Sequence, residues 1–170
     1  LDPELLASVE AVRGPVSSLW GSGALGGVVA QRTINARDFL EPDRDLGGFI
    51  KTGYNSNNSQ RTTTAAVLGR SGGTDWLLSG YARDSDDVEL GNGETLEGSA
   101  SDSGGVLAKL GQSFGESQRL EFIYRGARFD GAVPSNGTAE INATSNFLLE
   151  REQQTHNASI EYRFAPASDW

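Results

Sequence analysis

A period of two in the hydrophobic pattern constrains this chain more than any other feature. In RLEFIYRGARF, Leu120, Phe122 and Tyr124 fall on one face of an extended strand, while Arg119, Glu121 and Arg125 fall on the other; Ile123 is the exception. In HNASIEYRF, Ala158, Ile160, Tyr162 and Phe164 oppose Asn157, Ser159, Glu161 and Arg163. Successive side chains of a strand point to opposite faces, so this alternation predicts an antiparallel sheet with two unlike faces. Six segments carry it, some weakly: Leu46–Asn57, Ser59–Arg70, Thr74–Arg83, Ser103–Phe114, Gln118–Asp130 and Arg151–Ala165. Clusters of Gly, Asn, Ser and Asp separate them and read as turns.

The connections are as informative as the strands. The first, second and fourth are short (SNN, SGG and GES), while the third (Asp84 to Asp102) and the fifth (Gly131 to Glu150) are long. In an up-and-down meander, odd connections share one rim and even connections the other. Both long loops are odd and both even connections are tight, which is the asymmetry of an outer-membrane barrel. Each segment also reaches the roughly 9–11 residues that a tilted membrane-spanning strand needs. Trp76, Phe114, Tyr162, Phe164 and Trp170 are expected near the tight-turn rim, and Tyr54 and Phe129 near the other, as interfacial girdles. A soluble β-sandwich with these rings in its core is the competing fold. The face bearing Arg119, Glu121 and Arg125 suits a wet lumen, although a sandwich can leave one face in solvent.

Composition removes several classes. A net charge of −9 with no basic stripe argues against a nucleic-acid partner. The chain has no Cys, hence no disulfide, and a single His, so neither a His-based triad nor a Cys nucleophile with a second His can be assembled. The chain is read as a non-enzyme. No apolar run approaches the length of a transmembrane helix. The opening Leu1-Asp2-Pro3-Glu4 lacks a basic start and an apolar centre, so no signal peptide is read there, and both ends are taken as cuts within a longer protein.

The stretch WGSGALGGVV contains a formal G-x-G-x-x-G in Gly21, Gly23 and Gly26. A dinucleotide site needs a strand before these glycines and a helix after them. Here PVSSLW suits a helical turn and GVVAQRTI a strand, so the order is reversed.

Residues 9–33, VEAVRGPVSSLWGSGALGGVVAQRT, resemble the end of the plug domain of TonB-dependent outer-membrane receptors. That pattern runs from an acidic residue (Glu10) through Arg13-Gly14-Pro15, Trp20-Gly21 and Gly23-Ala24-Leu25-Gly26-Gly27 into the strand Val28–Thr33. The resemblance implies a mainly β chain. Residues 1–40 would be the C-terminal part of a plug, and residues 41–170 about six antiparallel strands of a transmembrane barrel of about 22 strands. It implies TonB as energising partner, lipid and lipopolysaccharide as surroundings, and the outer membrane of a Gram-negative bacterium with the long loops outside.

Further text (GYNSNN, DWLLSGYARDSDDVELGNGE and VPSNG) is similar to haem and haemoglobin receptors, which makes haem the transported ligand and not a cofactor. A ferric-siderophore receptor and, in another class, a surface adhesin are the alternatives. By the same resemblance, Arg13 with Glu10 is expected to pair plug to barrel through partners on later strands. Gly14, Gly21, Gly23, Gly26 and Gly27 are expected to be structural turn glycines, and Asp84 to Asp102 and Gly131 to Glu150 to be ligand-facing loops. The family's axial histidines fall outside this chain, and His156 is in phase with Ala158 and Ile160, the face assigned to lipid.

The acidic loop holds Asp84, Asp86, Asp87, Glu89, Glu94, Glu97 and Asp102. It fails the EF-hand template, because Val88 and Glu89 stand where a ligand and a glycine belong. A solvated loop is the default, with a looser calcium or lipopolysaccharide-bridging site as the alternative. Gly91-Asn92-Gly93 predicts a small hairpin within it.

Overall fold

The computed structural model describes residues 5–14, 26–135 and 147–165. Two strands come first, β1 (Leu6–Arg13) and β2 (Gly27–Thr33), paired antiparallel with Arg13 opposite Gly27. A short helix α1 (Ala36–Phe39) follows. Then come β3 (Leu46–Asn55), β4 (Gln60–Ser71), β5 (Thr74–Ser85), the miniature strands β6 (Val88–Glu89) and β7 (Thr95–Leu96), β8 (Ser101–Phe114), β9 (Gln118–Pro134) and β10 (Leu148–Phe164). The six long strands form one sheet in the order β10-β9-β8-β5-β4-β3, with every pairing antiparallel and unbroken in register. All six expected segments are strands. The last two reach further than expected, so the loop read as Gly131 to Glu150 shrinks to the residues between Pro134 and Leu148. The acidic loop contains the hairpin predicted at Gly91-Asn92-Gly93: β6 pairs with β7 across it.

Register fixes which side chains share a face. Leu78 lies opposite Val67 and Ala108, Trp76 opposite Leu110, Leu110 opposite Phe122, and Phe122 opposite Ile160. These side chains stand outward and, apart from the half-buried Ala108, exposed, together with Leu46, Ile50, Tyr54, Val106, Leu120, Tyr162 and Phe164. The other face carries Thr64, Asp75, Ser79, Lys109 and Glu121, all buried, alongside Leu68, Leu77 and Leu107. An apolar exterior over a polar interior inverts a soluble protein and matches a barrel whose outer band of about 25 Å meets lipid. No helix among the described residues is long and apolar enough to cross a membrane, so crossing falls to the strands.

Three particulars differ from the sequence reading. Phe129, expected in an outer girdle, lies on the inward face opposite Ser103 and Gln153, because its odd register matches Arg125 and not Tyr124. Ile123, the exception to alternation, packs against the buried cluster of Leu5, Ala36, Leu40, Leu68, Leu77 and Leu107. Its wall is lined by protein and not by water. For the same reason Arg119 and Glu121, expected in a wet lumen, are largely buried and paired.

If this outward band meets lipid, a charge placed on it must be far costlier than one placed a residue away. Ile160→Arg, at a position 72% exposed, is expected to destabilise the assembled barrel by about 2–4 kcal/mol. Ser159→Arg on the inward face should be nearly neutral. Heat-modifiable gel mobility of the full-length protein reads both. Equal tolerance at the two positions would favour a soluble sandwich.

Candidate functional site

The inner wall is where the sheet meets the segment before it. Ile34 N–H donates to the Leu5 carbonyl at 2.9 Å, and from there α1 drops Ala36 and Leu40 into the leucine cluster of β4, β5 and β8. Each leucine so buried contributes about 1.5–3 kcal/mol. Phe39 adds a tilted ring contact with Phe49, centroids 5.6 Å apart.

Beneath α1 lies a chain of ions. Asp75, only 4% exposed, accepts both Arg119 guanidinium Nη groups, at 2.7 and 2.8 Å, and Arg37 Nε at 2.9 Å. Arg119 also donates to Glu121 from Nη2 at 3.2 Å, and Glu121 faces Lys109 Nζ at 3.8 Å. Lys109 completes its shell with Asn35 Oδ1 at 2.8 Å and the Thr33 carbonyl at 3.2 Å. Arg37 Nη2 donates to Ser113 Oγ at 2.9 Å. Charges withdrawn from water survive only when paired and hydrogen-bonded in this way. One gap makes the bidentate pair possible. Arg119 on β9 must cross β8 to reach Asp75 on β5, and the intervening residue is Gly111, where any Cβ would occupy the guanidinium's path.

The network therefore ties residues 33–37 to three strands of the wall. Its signal in the sequence is phase: Asp75 alternates with Leu77, and Lys109 with Leu107, on the buried inward face, where a lone charge requires a partner.

The expected site residues fall elsewhere. Arg13 and Glu10 are exposed on β1, and neither makes an ion pair among the described residues. Gly14 and Gly27 close the β1–β2 hairpin, Gly14 N–H donating to the Gly26 carbonyl at 3.2 Å. Gly27 takes φ +143° with the Val12 carbonyl where a Cβ would stand, whereas at Gly26 a Cβ would meet nothing within 4 Å. Trp20, Gly21, Gly23, Ala24 and Leu25 lie outside the described residues, as do Pro15 and Trp170. In the acidic loop Asp87 is a structural clamp, its Oδ1 accepting the N–H groups of Ser99 at 2.7 Å and Ala100 at 2.8 Å. His156 stands on the outward face, its Nδ1 2.9 Å from the Tyr124 hydroxyl.

No protein-family model matches the chain. Among curated proteins it is 36% identical to Heme/hemopexin utilization protein C of Haemophilus influenzae strain 86-028NP, over 92% of this chain and 22% of that protein. It is 30% identical to TonB-dependent heme receptor A of Haemophilus ducreyi, over 99% of this chain and 25% of that protein. The solved FrpB iron transporter of Neisseria meningitidis (F5-1 variant) superposes with a TM-score of 0.84 at 27% identity, covering 99% of this chain and 28% of that one. The chain belongs to the TonB-dependent receptors. It spans about a quarter of the length of the curated relatives it matches. Within such a receptor the ion network is an anchor, fastening the end of the plug to the first barrel strands.

Loss of the central carboxylate strands two guanidinium groups, one of them largely buried. Asp75→Ala is expected to cost about 3–5 kcal/mol of barrel stability. Arg37→Ala, which removes a half-exposed partner, is expected to cost about 1 kcal/mol or less. The temperature at which the purified full-length receptor loses its compact gel mobility reports both.

Proposed function

We propose that the receptor containing this chain imports iron as haem across the outer membrane of a Gram-negative bacterium, drawing on the TonB complex for energy. The observation carrying this reading is that relatives named as haem receptors align over nearly the whole chain, plug end and barrel strands alike. Residues 1–40 are the end of the plug and residues 41–170 the opening strands of the barrel. Arg13 and Glu10, exposed on β1, pair with barrel residues beyond this chain. TonB, haem or haemoglobin, and the lipopolysaccharide around the barrel are the partners. A second reading, uptake of a ferric siderophore, draws on the likeness to FrpB, described as an iron transporter. Growth of a strain lacking other haem receptors, with haem or a ferric siderophore as sole iron source, separates the two. Haem-dependent growth that is lost with the receptor or with TonB supports the first.

The β5–β8 and β9–β10 loops share one rim and the tight turns at Gly72 and Gly115 the other. On the receptor reading, the rim of long loops is the one outside the cell. An epitope inserted near Asn92 should be labelled on intact cells, since loop tips accept insertions. Labelling at Gly115 instead would invert the topology.

His156, with its ring on the lipid side of β10, lies across the sheet from the lumen. His156→Ala is expected to leave the haem difference spectrum and growth on haem unchanged. Loss of an axial-ligand band in an assembled barrel would mean that β10 is out of phase by one residue.

A further inference from the structure

The stretch from Thr33 to Asp45 is fastened to the wall at every few residues. Lys109 Nζ donates to the Thr33 carbonyl at 3.2 Å and to Asn35 Oδ1 at 2.8 Å. Arg37 donates to Asp75 Oδ2 and to Ser113 Oγ, both at 2.9 Å. Ala36 and Leu40, 1% and 8% exposed, sit among Leu68, Leu77 and Leu107. Arg70 on β4 holds the residues that follow. Its Nη2 donates to the carbonyls of Glu41, at 3.1 Å, and of Pro42, and its backbone N–H donates to the Asp45 carbonyl at 2.8 Å. Every one of these partners lies on β4, β5 or β8, and each of those strands has a paired neighbour on both sides within this sheet. The seat is therefore complete without any strand from elsewhere in the receptor.

The lumen of a large outer-membrane transporter is plugged, so cargo crosses only when part of the plug shifts. The elements of a fold that move are drawn from its least stable parts. Residues 33–45 are the opposite case. Lifting them takes Ala36 and Leu40 off the leucines, strips Lys109 of its two closest acceptors and separates Arg37 and Arg70 from theirs. These losses fall together, because the contacts crowd into one short stretch.

We infer that residues 33–45 stay seated on this wall throughout transport. Displacement of the plug ends at or before Thr33, and the cargo's way out at the tight-turn rim opens against strands other than β4, β5 and β8. This rests on the receptor reading above and not on which cargo is carried.

Two cysteine variants of the full-length receptor test it in cells. In Leu40→Cys/Gly47→Cys a disulfide locks the seat to β3, since a Cβ at position 47 would stand 2.8 Å from Leu40 Cδ2. Uptake of radiolabelled iron supplied as haem is compared between the oxidised and reduced forms of this one variant, so that the effect of the substitutions cancels. Uptake at an unchanged rate is expected. A loss on oxidation that a reductant restores would show that the seat has to open, and would overturn the inference. Ala36→Cys, a small change at a buried position, is exposed to a permeant maleimide with cargo supplied, in strains with and without TonB. Protection in both is expected, and labelling that rises with TonB overturns the inference as well. This second variant decides the matter should the cysteine pair fail to close. Compact gel mobility confirms that both variants are folded. A wild type that imports a ferric siderophore but no haem removes the haem reading alone, and both comparisons are repeated with the siderophore. A wild type that imports neither removes the receptor reading and this inference with it.

Discussion

The inner packing of this sheet depends on one buried carboxylate. Asp75 is withdrawn from water at the tight-turn end of β5, and a lone charge there would cost several kcal/mol. It is tolerated because Arg119 reaches it in fork geometry and Arg37 approaches from α1. Those demands propagate. Position 111 must lack a side chain, since the guanidinium passes over it. Arg37 must hang from a helix whose Ala36 and Leu40 are already seated on Leu68 and Leu77. Glu121 then needs Lys109, whose remaining protons go to Asn35 and the Thr33 carbonyl. Helix α1 has only four residues, too few to hold together alone, so it exists because the wall organises it.

The parts of the fold legible in sequence were those set by local periodicity. Alternation in β9 and β10 assigns Leu120, Phe122, Ile160 and Tyr162 to one face, and the pairings place them together on it. Loop-length parity gives the meander, because tight turns can only join neighbouring antiparallel strands. What periodicity cannot convey is what covers a face. Ile123 breaks the polar pattern because Leu5 and α1 lie over it, and neither is near it in sequence. The bonds from Arg37 to Asp75 and to Ser113 join residues 38 and 76 positions apart, and no spacing rule links them. Rim height does not determine the face: counting by twos from Arg125 turns Phe129 inward.

The two ends of the wall meet different physical requirements. At the tight-turn end, opposite charges lie close together and cancel, which secures the plug-end segment and leaves little field in the lumen. Toward the long loops, Asp84, Asp102 and Asp130 share the outward register with Arg61 and Arg128, while Lys51, Arg83, Arg125 and Arg151 take the inward one. The close pairing at the tight-turn end holds protein against protein.

The apolar exterior sets the dielectric in which the ion network acts. Charges on a wall facing bulk water would be screened within about 8–10 Å at physiological ionic strength. Behind Asp75, Lys109 and Glu121 the sheet is backed by the outward residues Trp76, Leu110, Phe122 and Ile160, so those ion pairs act where their attraction is screened far less than in water. The outward residues that make the strands insoluble as a free sheet are thus the ones that strengthen the inward pairs, and a polar exterior would weaken both.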